Sequence, residues 1–163
     1  MTRQTILILD FGSQYTQLIA RRVRENKVFS KIIPYNLPAK EIAALNPKGL
    51  ILSGGPASVV DKKSPYPDKG IFKLGIPVLG ICYGMQVICE MLGGKVKHTR
   101  EREYGKVELF VDDNRDLFSH MPGNFTCWAS HGDYVTKMPA GFHTSAHTAN
   151  TPIAAKDKKK RKI

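Results

Sequence analysis

The chain has 163 residues, of which 42% are hydrophobic, and a formal net charge of +11. This length suits one domain with a sizeable core, so we expect residues 1–163 to form a single domain. The apolar runs are of strand length, far short of the about 20 residues that cross a membrane, and the polar start shows no signal-peptide core. We therefore expect a soluble, cytoplasmic protein without a membrane partner.

The positive charge is concentrated near the end of the chain. Residues 156–162 contain six bases and one acid, a net +5 of the +11. The other bases are spread along predicted helices and loops, without the aromatic-interleaved basic pattern of RNA-binding proteins. We interpret the basic run as a solvated turn and expect no nucleic-acid partner.

The cysteines and glycines exclude several kinds of site. Three cysteines without C-x-x-C spacing indicate neither a disulfide framework nor a zinc site, so we expect reduced thiols and no metal. The chain also lacks the G-x-G-x-x-G and G-x-x-x-x-G-K-[ST] fingerprints of nucleotide-binding loops. We therefore expect no cofactor in this domain.

The first half of the chain alternates strand and helix patterns. Branched apolar runs predict strands at 5–10, 29–34 and 49–53. Helices are predicted at 15–26, with Leu18, Ile19 and Val23 facing inward, and at 38–45. This alternation predicts an α/β fold with an open, mostly parallel sheet and helices on both faces.

The second half has a different pattern of short strands. We predict strands at 95–99, 105–111, 125–129 and 142–146, and expect them to extend the sheet in antiparallel pairs, which makes the sheet mixed overall. The polar cluster 130–133 is interpreted as a loop between two of them. The proline-bearing stretch 57–70 is predicted to be a surface loop that either covers the site or simply connects two elements.

Cys82 lies between a predicted strand at 76–79, buried on both faces, and a helix. Apolar residues at 85, 88, 89 and 92 mark one helix face, and Gly80 and Gly84 flank the cysteine in a G-x-C-x-G pattern. This is the thiol form of the nucleophile elbow, and the helix N-terminus is expected to favour the thiolate. The alternative interpretation is that Cys82 is a small, buried hydrophobic side chain without a catalytic role.

A second candidate loop follows the third predicted strand. Gly54 and Gly55 let the backbone turn its N–H groups toward a ligand, and ligands gather at the carboxyl ends of parallel strands. One sheet would therefore place this loop beside Cys82, where acyl transfer needs donors for an oxyanion. The alternative is an ordinary Gly-Gly-Pro turn.

Residues 53–56, 80–86 and 130–133 together resemble the class I glutamine amidotransferases, and residues 10–22 resemble the glutaminase part of GMP synthases in particular. The resemblance runs from about residue 5 to the last residue. It implies a flavodoxin-like fold in which Cys82 attacks the side-chain amide of L-glutamine. It also implies that the N–H groups of Gly55 and Tyr83 form the oxyanion hole.

The same resemblance assigns the substrate-binding residues. These are Gly54, Gln86, Ser130, His131, Gly132 and Asp133. The alternatives are an exposed helix amide for Gln86 and a solvated loop histidine for His131.

A cysteine amidase also needs a base, which the family takes from a later His-Pro-Glu motif. This sequence contains no His-Pro-Glu, so we interpret it as a C-terminally incomplete domain whose missing strand exposes a sheet edge or cavity, and we expect it to be inactive alone. Of the histidines at 98, 120, 131, 143 and 147, only His131 is expected near Cys82. Whether another chain supplies the missing part is left open.

By resemblance, the ammonia passes to a synthetase module that uses ATP and magnesium to aminate xanthosine monophosphate to GMP. That module, in the same longer chain or on a separate polypeptide, is the expected partner. The alternatives are a glutaminase of another synthase, for anthranilate or carbamoyl phosphate, and an inactive fragment that only docks a synthetase.

Overall fold

A computed structural model describes residues 4–158 and 163, apart from the side chains of residues 99–103 and 131. The first half contains β1 (Thr5–Asp10), α1 (Thr16–Glu25), β2 (Phe29–Pro34), α2 (Ala39–Ala44), β3 (Gly49–Leu52), β4 (Val78–Gly80) and α3 (Tyr83–Met91). The second half contains β5 (Lys95–Val111), β6 (Asn124–Lys137), β7 (His143–His147) and β8 (Ala155–Asp157). Two 3₁₀ helices, Lys69–Lys73 and Asp116–Phe118, were not predicted. None of the helices in the described ranges is long and apolar enough to cross a membrane.

The first four strands form a parallel sheet in the order β2-β1-β3-β4. The β1-to-β2 and β2-to-β3 connections cross the sheet in opposite directions, so right-handed crossovers place α1 and α2 on opposite faces. The predicted α/β class and the parallel sheet are confirmed. The strand bounds at β1 and β2 agree with the prediction residue for residue.

The main core lies between this sheet and the helices beside it. Leu7 and Leu9 of β1, Leu52 of β3 and Val87 of α3 are all fully buried. Burying a leucine side chain stabilises the fold by about 1.5–3 kcal/mol. The core therefore fixes α3, and the turn before it, against the end of β3.

The last four strands form a separate antiparallel sheet in the order β6-β5-β7-β8. The predicted antiparallel pairs are confirmed, but in the described residues these strands do not extend the parallel sheet. The predicted loop 130–133 is also wrong, because it lies inside β6, where Ser130 pairs with Tyr104 and Asp133 with His98. The segment is polar although it lies in a strand, because Ser130 is exposed to solvent and the buried Asp133 contacts Ser58 and His98.

Two side chains predicted to be buried are exposed. Leu18 of α1 is 43% exposed, because Thr16 and Ala20 supply the buried face of that helix. Leu79 is 38% exposed, because β4 is an edge strand of the parallel sheet in the described part of the chain.

An apolar cavity of about 600 Å³ runs beside β4 and is also lined by β3 and β8. Lys156 of β8 lines this cavity and is buried, so it does not belong to a solvated turn. Its burial lowers the pKa of its ammonium group. Residues 159–162 of the predicted turn lie outside the described residues.

Candidate active site

Cys82 occupies a strained turn between β4 and α3. Its backbone has φ 49° and ψ −112°, in the half of the conformational map that side chains other than glycine rarely adopt. Such strain is maintained only where the surrounding structure over-determines it, and it is typical of nucleophile elbows. The turn presents Cys82 as an exposed residue at the carboxyl end of β4.

The two glycines that flank Cys82 are required by contact. A Cβ on Gly84 would lie 2.3 Å from the carbonyl oxygen of Leu52, and one on Gly80 would lie 2.6 Å from the backbone nitrogen of Met85. Since both obstacles are backbone atoms, neither can move out of the way. Only glycine at both positions lets α3 start this close to β3 and β4.

The Gly54–Gly55 turn lies directly beside the elbow. A Cβ on Gly54 would be 3.5 Å from the Cβ of Cys82. The Ser53 hydroxyl accepts a hydrogen bond from the N–H of Phe11 at 3.0 Å and donates one to the carbonyl of Gly54 at 2.9 Å. The N–H of Gly84 donates to the carbonyl of Ser53 at 3.1 Å, which ties the two turns together. The carboxyl ends of β3 and β4 thus meet as the parallel sheet predicts.

These two turns form one wall of a cavity of about 500 Å³. Among the predicted site residues, the cavity is lined by Gly55, Cys82, Tyr83, Gln86, Ser130, Gly132 and Asp133. Gly54 lies next to Cys82, and the side chain of His131 lies outside the described residues. The structure therefore brings together the predicted residues whose positions it describes.

Two backbone N–H groups at the cavity are suited to stabilise an oxyanion. Tyr83 is the first residue of α3, where N–H groups have no partner within the helix, and Gly55 lies in the turn opposite. In the part of the chain that is described, neither N–H is hydrogen bonded. The Tyr83 side chain points away into the core, where burial raises the pKa of its phenol and its hydroxyl donates to the carbonyl of Pro65 at 2.7 Å.

Gln86 holds the cavity wall together from the helix side. Its side chain is buried, and its Nε2 donates a hydrogen bond to the backbone carbonyl of Asp133 at 3.1 Å. The alternative interpretation, an exposed helix amide, is therefore wrong. This contact fixes α3 to β6 at the level of the cavity.

Besides Pro56 and Ala57, the cavity is lined by three polar residues that were not predicted as site residues, namely Ser58, His98 and Tyr104. His98 lines the same cavity as Cys82, so the expectation that only His131 lies near Cys82 is wrong. The Nδ1 of His98 lies 2.5 Å from the Oδ1 of Asp133. The cross-strand pairing of His98 with Asp133 brings it there. The two residues are 35 positions apart in sequence. Their contact could be predicted only if the pairing register of β5 and β6 were known, and the sequence does not show that register.

The remaining described histidines with carboxylate partners lie in the second sheet. The Nε2 of His143 is 2.5 Å from Asp157, and the Nδ1 of His147 is 2.9 Å from Asp112. Neither residue lines the cavity. Within the described residues, no group of three or more His, Cys, Asp or Glu side chains is placed to hold a metal ion.

The surroundings of Cys82 oppose the formation of a thiolate. Desolvation by neighbouring protein atoms raises the pKa of the thiol above its ordinary value of 9.0. We expected the helix N-terminus to lower this pKa, whereas the resolved shift is upward and desolvation is its cause. Efficient attack by Cys82 thus requires a base that removes its proton.

We expect alkylation of Cys82 by iodoacetamide to accelerate about tenfold per pH unit between roughly pH 6.5 and 8.5, because only the thiolate reacts. The rate should not level off below the ordinary cysteine pKa of 9.0. Mass spectrometry of the Cys82 peptide over time measures this rate, with an unstructured cysteine peptide as reference. A plateau near neutral pH would show that the thiolate is instead stabilised.

Comparison with known proteins places this arrangement in a family. Residues 7–163 match the model of the family described as glutamine amidotransferase class-I. The chain is 54% identical over 155 residues to the GMP synthase [glutamine-hydrolyzing] of Nostoc sp. (strain PCC 7120), covering 95% of this chain and 29% of that protein. It is 50% identical to the protein of that name from Acetivibrio thermocellus, and the match covers 100% of this chain and 32% of that protein. The chain thus spans about a third of the length of these relatives.

Solved structures show the same fold. A Thermoplasma acidophilum protein assigned to a GMP synthase superposes with a TM-score of 0.87 at 29% identity, over 100% of this chain and 82% of that one. A glutamine amidotransferase from Thermotoga maritima superposes with a TM-score of 0.76 at 19% identity, over 99% of this chain and 74% of that one. With the elbow, the paired glycines and the matched residues, these findings show that the chain belongs to the class I glutamine amidotransferase family.

Proposed function

We propose that this chain is the glutaminase domain of a GMP synthase, and that Cys82 is its nucleophile. The observation that carries the proposal is the strained elbow that holds Cys82 beside the Gly54–Gly55 turn, at a cavity of about 500 Å³. A cavity of this volume has room for a small ligand such as glutamine, and Cys82 is one of its lining residues. The identity of about 50% to proteins named GMP synthase supports the subclass.

The proposed reaction begins when the Cys82 sulfur bonds to the amide carbon of L-glutamine. The amide oxygen takes the negative charge and accepts hydrogen bonds from the N–H groups of Gly55 and Tyr83. The C–N bond then breaks, the proton lost by the thiol leaves on ammonia, and a γ-glutamyl thioester remains. Water hydrolyses the thioester to glutamate and restores the thiol.

The remaining site residues are proposed to surround the glutamine. Ser130 and Gly132 border the cavity, Gly54 lies next to Cys82, and Gln86 and Asp133 line the cavity where α3 meets β6. His131 is retained as a substrate-side residue on the family resemblance alone. We propose no cofactor in this domain.

The ammonia is proposed to serve a synthetase module that uses ATP and magnesium to aminate xanthosine monophosphate. The relatives named GMP synthase are about three times longer than the matched region, which leaves room for such a module in their chains. We further propose that residues 1–163 act as one domain, in the cytoplasm, without nucleic-acid or membrane partners.

Since the sequence lacks a His-Pro-Glu motif, we expect this chain to capture a glutamine analogue without sustained turnover. The test is incubation with a chloroketone analogue of glutamine, followed by mass spectrometry. The expected result is one adduct, on Cys82, that excess L-glutamine prevents. Ammonia release should be at background for this chain, and measurable for a version extended by about 40 residues taken from a GMP synthase relative. An adduct elsewhere, or none, would overturn the proposal.

A further inference from the structure

Asp133 is the point where three walls of the cavity meet. Asp133 lies in β6 and is only 8% exposed to solvent. Its Oδ2 accepts a hydrogen bond from the Ser58 hydroxyl at 2.5 Å, its Oδ1 lies 2.5 Å from the Nδ1 of His98, and its backbone carbonyl accepts from Gln86 at 3.1 Å. One residue therefore contacts the loop after β3, strand β5 and helix α3.

Of the three contacts, the one with Ser58 joins the residues that are farthest apart in sequence. It joins positions 75 residues apart and closes the segment that carries the paired glycines onto β6. Ser58 is only three residues beyond Gly55. Its other hydrogen bonds are local: its carbonyl accepts from the Ser64 hydroxyl and from the N–H of Asp61, and its hydroxyl accepts from the N–H of Val60. The hydroxyl of Ser58 is thus the one described side-chain link from residues 54–58 to the opposite wall of the cavity.

The chemistry of the carboxylate makes this link a strong one. A buried carboxylate accepts hydrogen bonds but donates none, and bonds to a charged acceptor are shorter and about twice as strong as neutral ones. Asp133 uses both oxygens, one for a hydroxyl and one for an imidazole. An asparagine has the same shape but only one acceptor oxygen, so it cannot serve both partners as acceptor.

We propose that Asp133 is a positioning residue: its carboxylate holds Ser58, and through it the Gly54–Gly55 turn, at the distance from Cys82 at which the N–H of Gly55 reaches the oxyanion. The inference rests on the proposed function. An oxyanion donor acts at about 2.7–3.1 Å, and a misplacement of about 1 Å can cost about a hundredfold in rate. The carboxylate itself need not touch the reacting atoms.

The test compares two reagents at Cys82. A glutamine chloroketone develops negative charge on its ketone oxygen when the sulfur adds to it, so its rate depends on the oxyanion donors. Iodoacetamide reacts by displacement and develops no oxyanion. The ratio of the two rate constants therefore reports the position of the donors, and a loss of fold or of thiol access alone lowers both rates.

In Asp133→Asn we expect the saturating chloroketone rate to fall about tenfold or more, with the iodoacetamide rate within about twofold of wild type. Ser58→Ala breaks the same contact from the other side and should give the same selective loss. The double variant should lose less than the sum of the two single losses, since both changes weaken the same interaction. Asp61→Asn removes the same charge from an exposed site in the same loop and should leave the ratio unchanged.

Three results would overturn the inference. An unchanged ratio in both Asp133→Asn and Ser58→Ala would show that the contact does not position the donors. Equal losses with both reagents, accompanied by a lower melting temperature, would show a purely structural role. If wild-type protein reacts with iodoacetamide but not with the chloroketone, the proposed function itself fails, and the inference with it. A chloroketone-reactive wild type with unaffected variants refutes only the role of Asp133.

Discussion

Replacing Cys82 by serine is expected to lower the rate of labelling by the glutamine chloroketone by about three orders of magnitude or more. A serine hydroxyl is a far weaker nucleophile than a thiol, and it depends even more on a base to remove its proton. In a version extended to include a base, ammonia release should fall to background as well. Because residue 82 is exposed at the turn, the melting temperature should stay close to that of wild type.

The matched control is Cys127→Ser. Cys127 lies in β6 of the second sheet, is partly buried and does not line the cavity. Its loss should leave both labelling and ammonia release unchanged. Chloroketone labelling that persists in Cys82→Ser, or that disappears in Cys127→Ser, would show that the nucleophile has been assigned to the wrong thiol.

Replacing Gly84 by alanine is expected to destabilise the fold by about 1–3 kcal/mol. In the new residue, Cβ would lie 2.3 Å from the carbonyl oxygen of Leu52 and 2.7 Å from its Cβ. These are atoms of a fully buried residue in the parallel sheet, so α3 as a whole must move away from β3. Intrinsic helix propensity favours alanine over glycine by about 1 kcal/mol, so a measured loss would show that the contact outweighs propensity.

Urea denaturation of Gly84→Ala measures this free energy of unfolding, and Gly123→Ala is the matched control. A Cβ on Gly123 meets nothing within 4 Å, so that variant should lie within about 0.5 kcal/mol of wild type. We also expect slower chloroketone labelling in Gly84→Ala, because the same shift displaces the N–H of Tyr83. A variant as stable as wild type would contradict the close approach of α3 to β3.

Much of the fold and half of the site could be predicted from the sequence, because the relevant signals are local. Branched apolar runs between turn residues indicated β1 and β2, and the 3.6-residue periodicity indicated α3. The G-x-C-x-G pattern indicated the elbow, since a tight strand-to-helix turn excludes side chains at those two flanking positions. Because the strands are parallel, their carboxyl ends lie on the same side of the sheet, so Cys82 and the Gly54–Gly55 turn were expected to lie together there.

Local pattern alone predicted the class of the fold, the tight turn at Cys82 and the glycine turn beside it. Strand register and burial decided the rest, and they depend on residues far apart in the chain. The pairing of β5 with β6 placed His98 beside Asp133, and the packing of the loop after β3 brought Ser58 to the same carboxylate. Packing also made Lys156 an interior residue, and neighbouring protein atoms raised the pKa of the Cys82 thiol. Such desolvation depends on all the surrounding atoms, so no single motif predicts it.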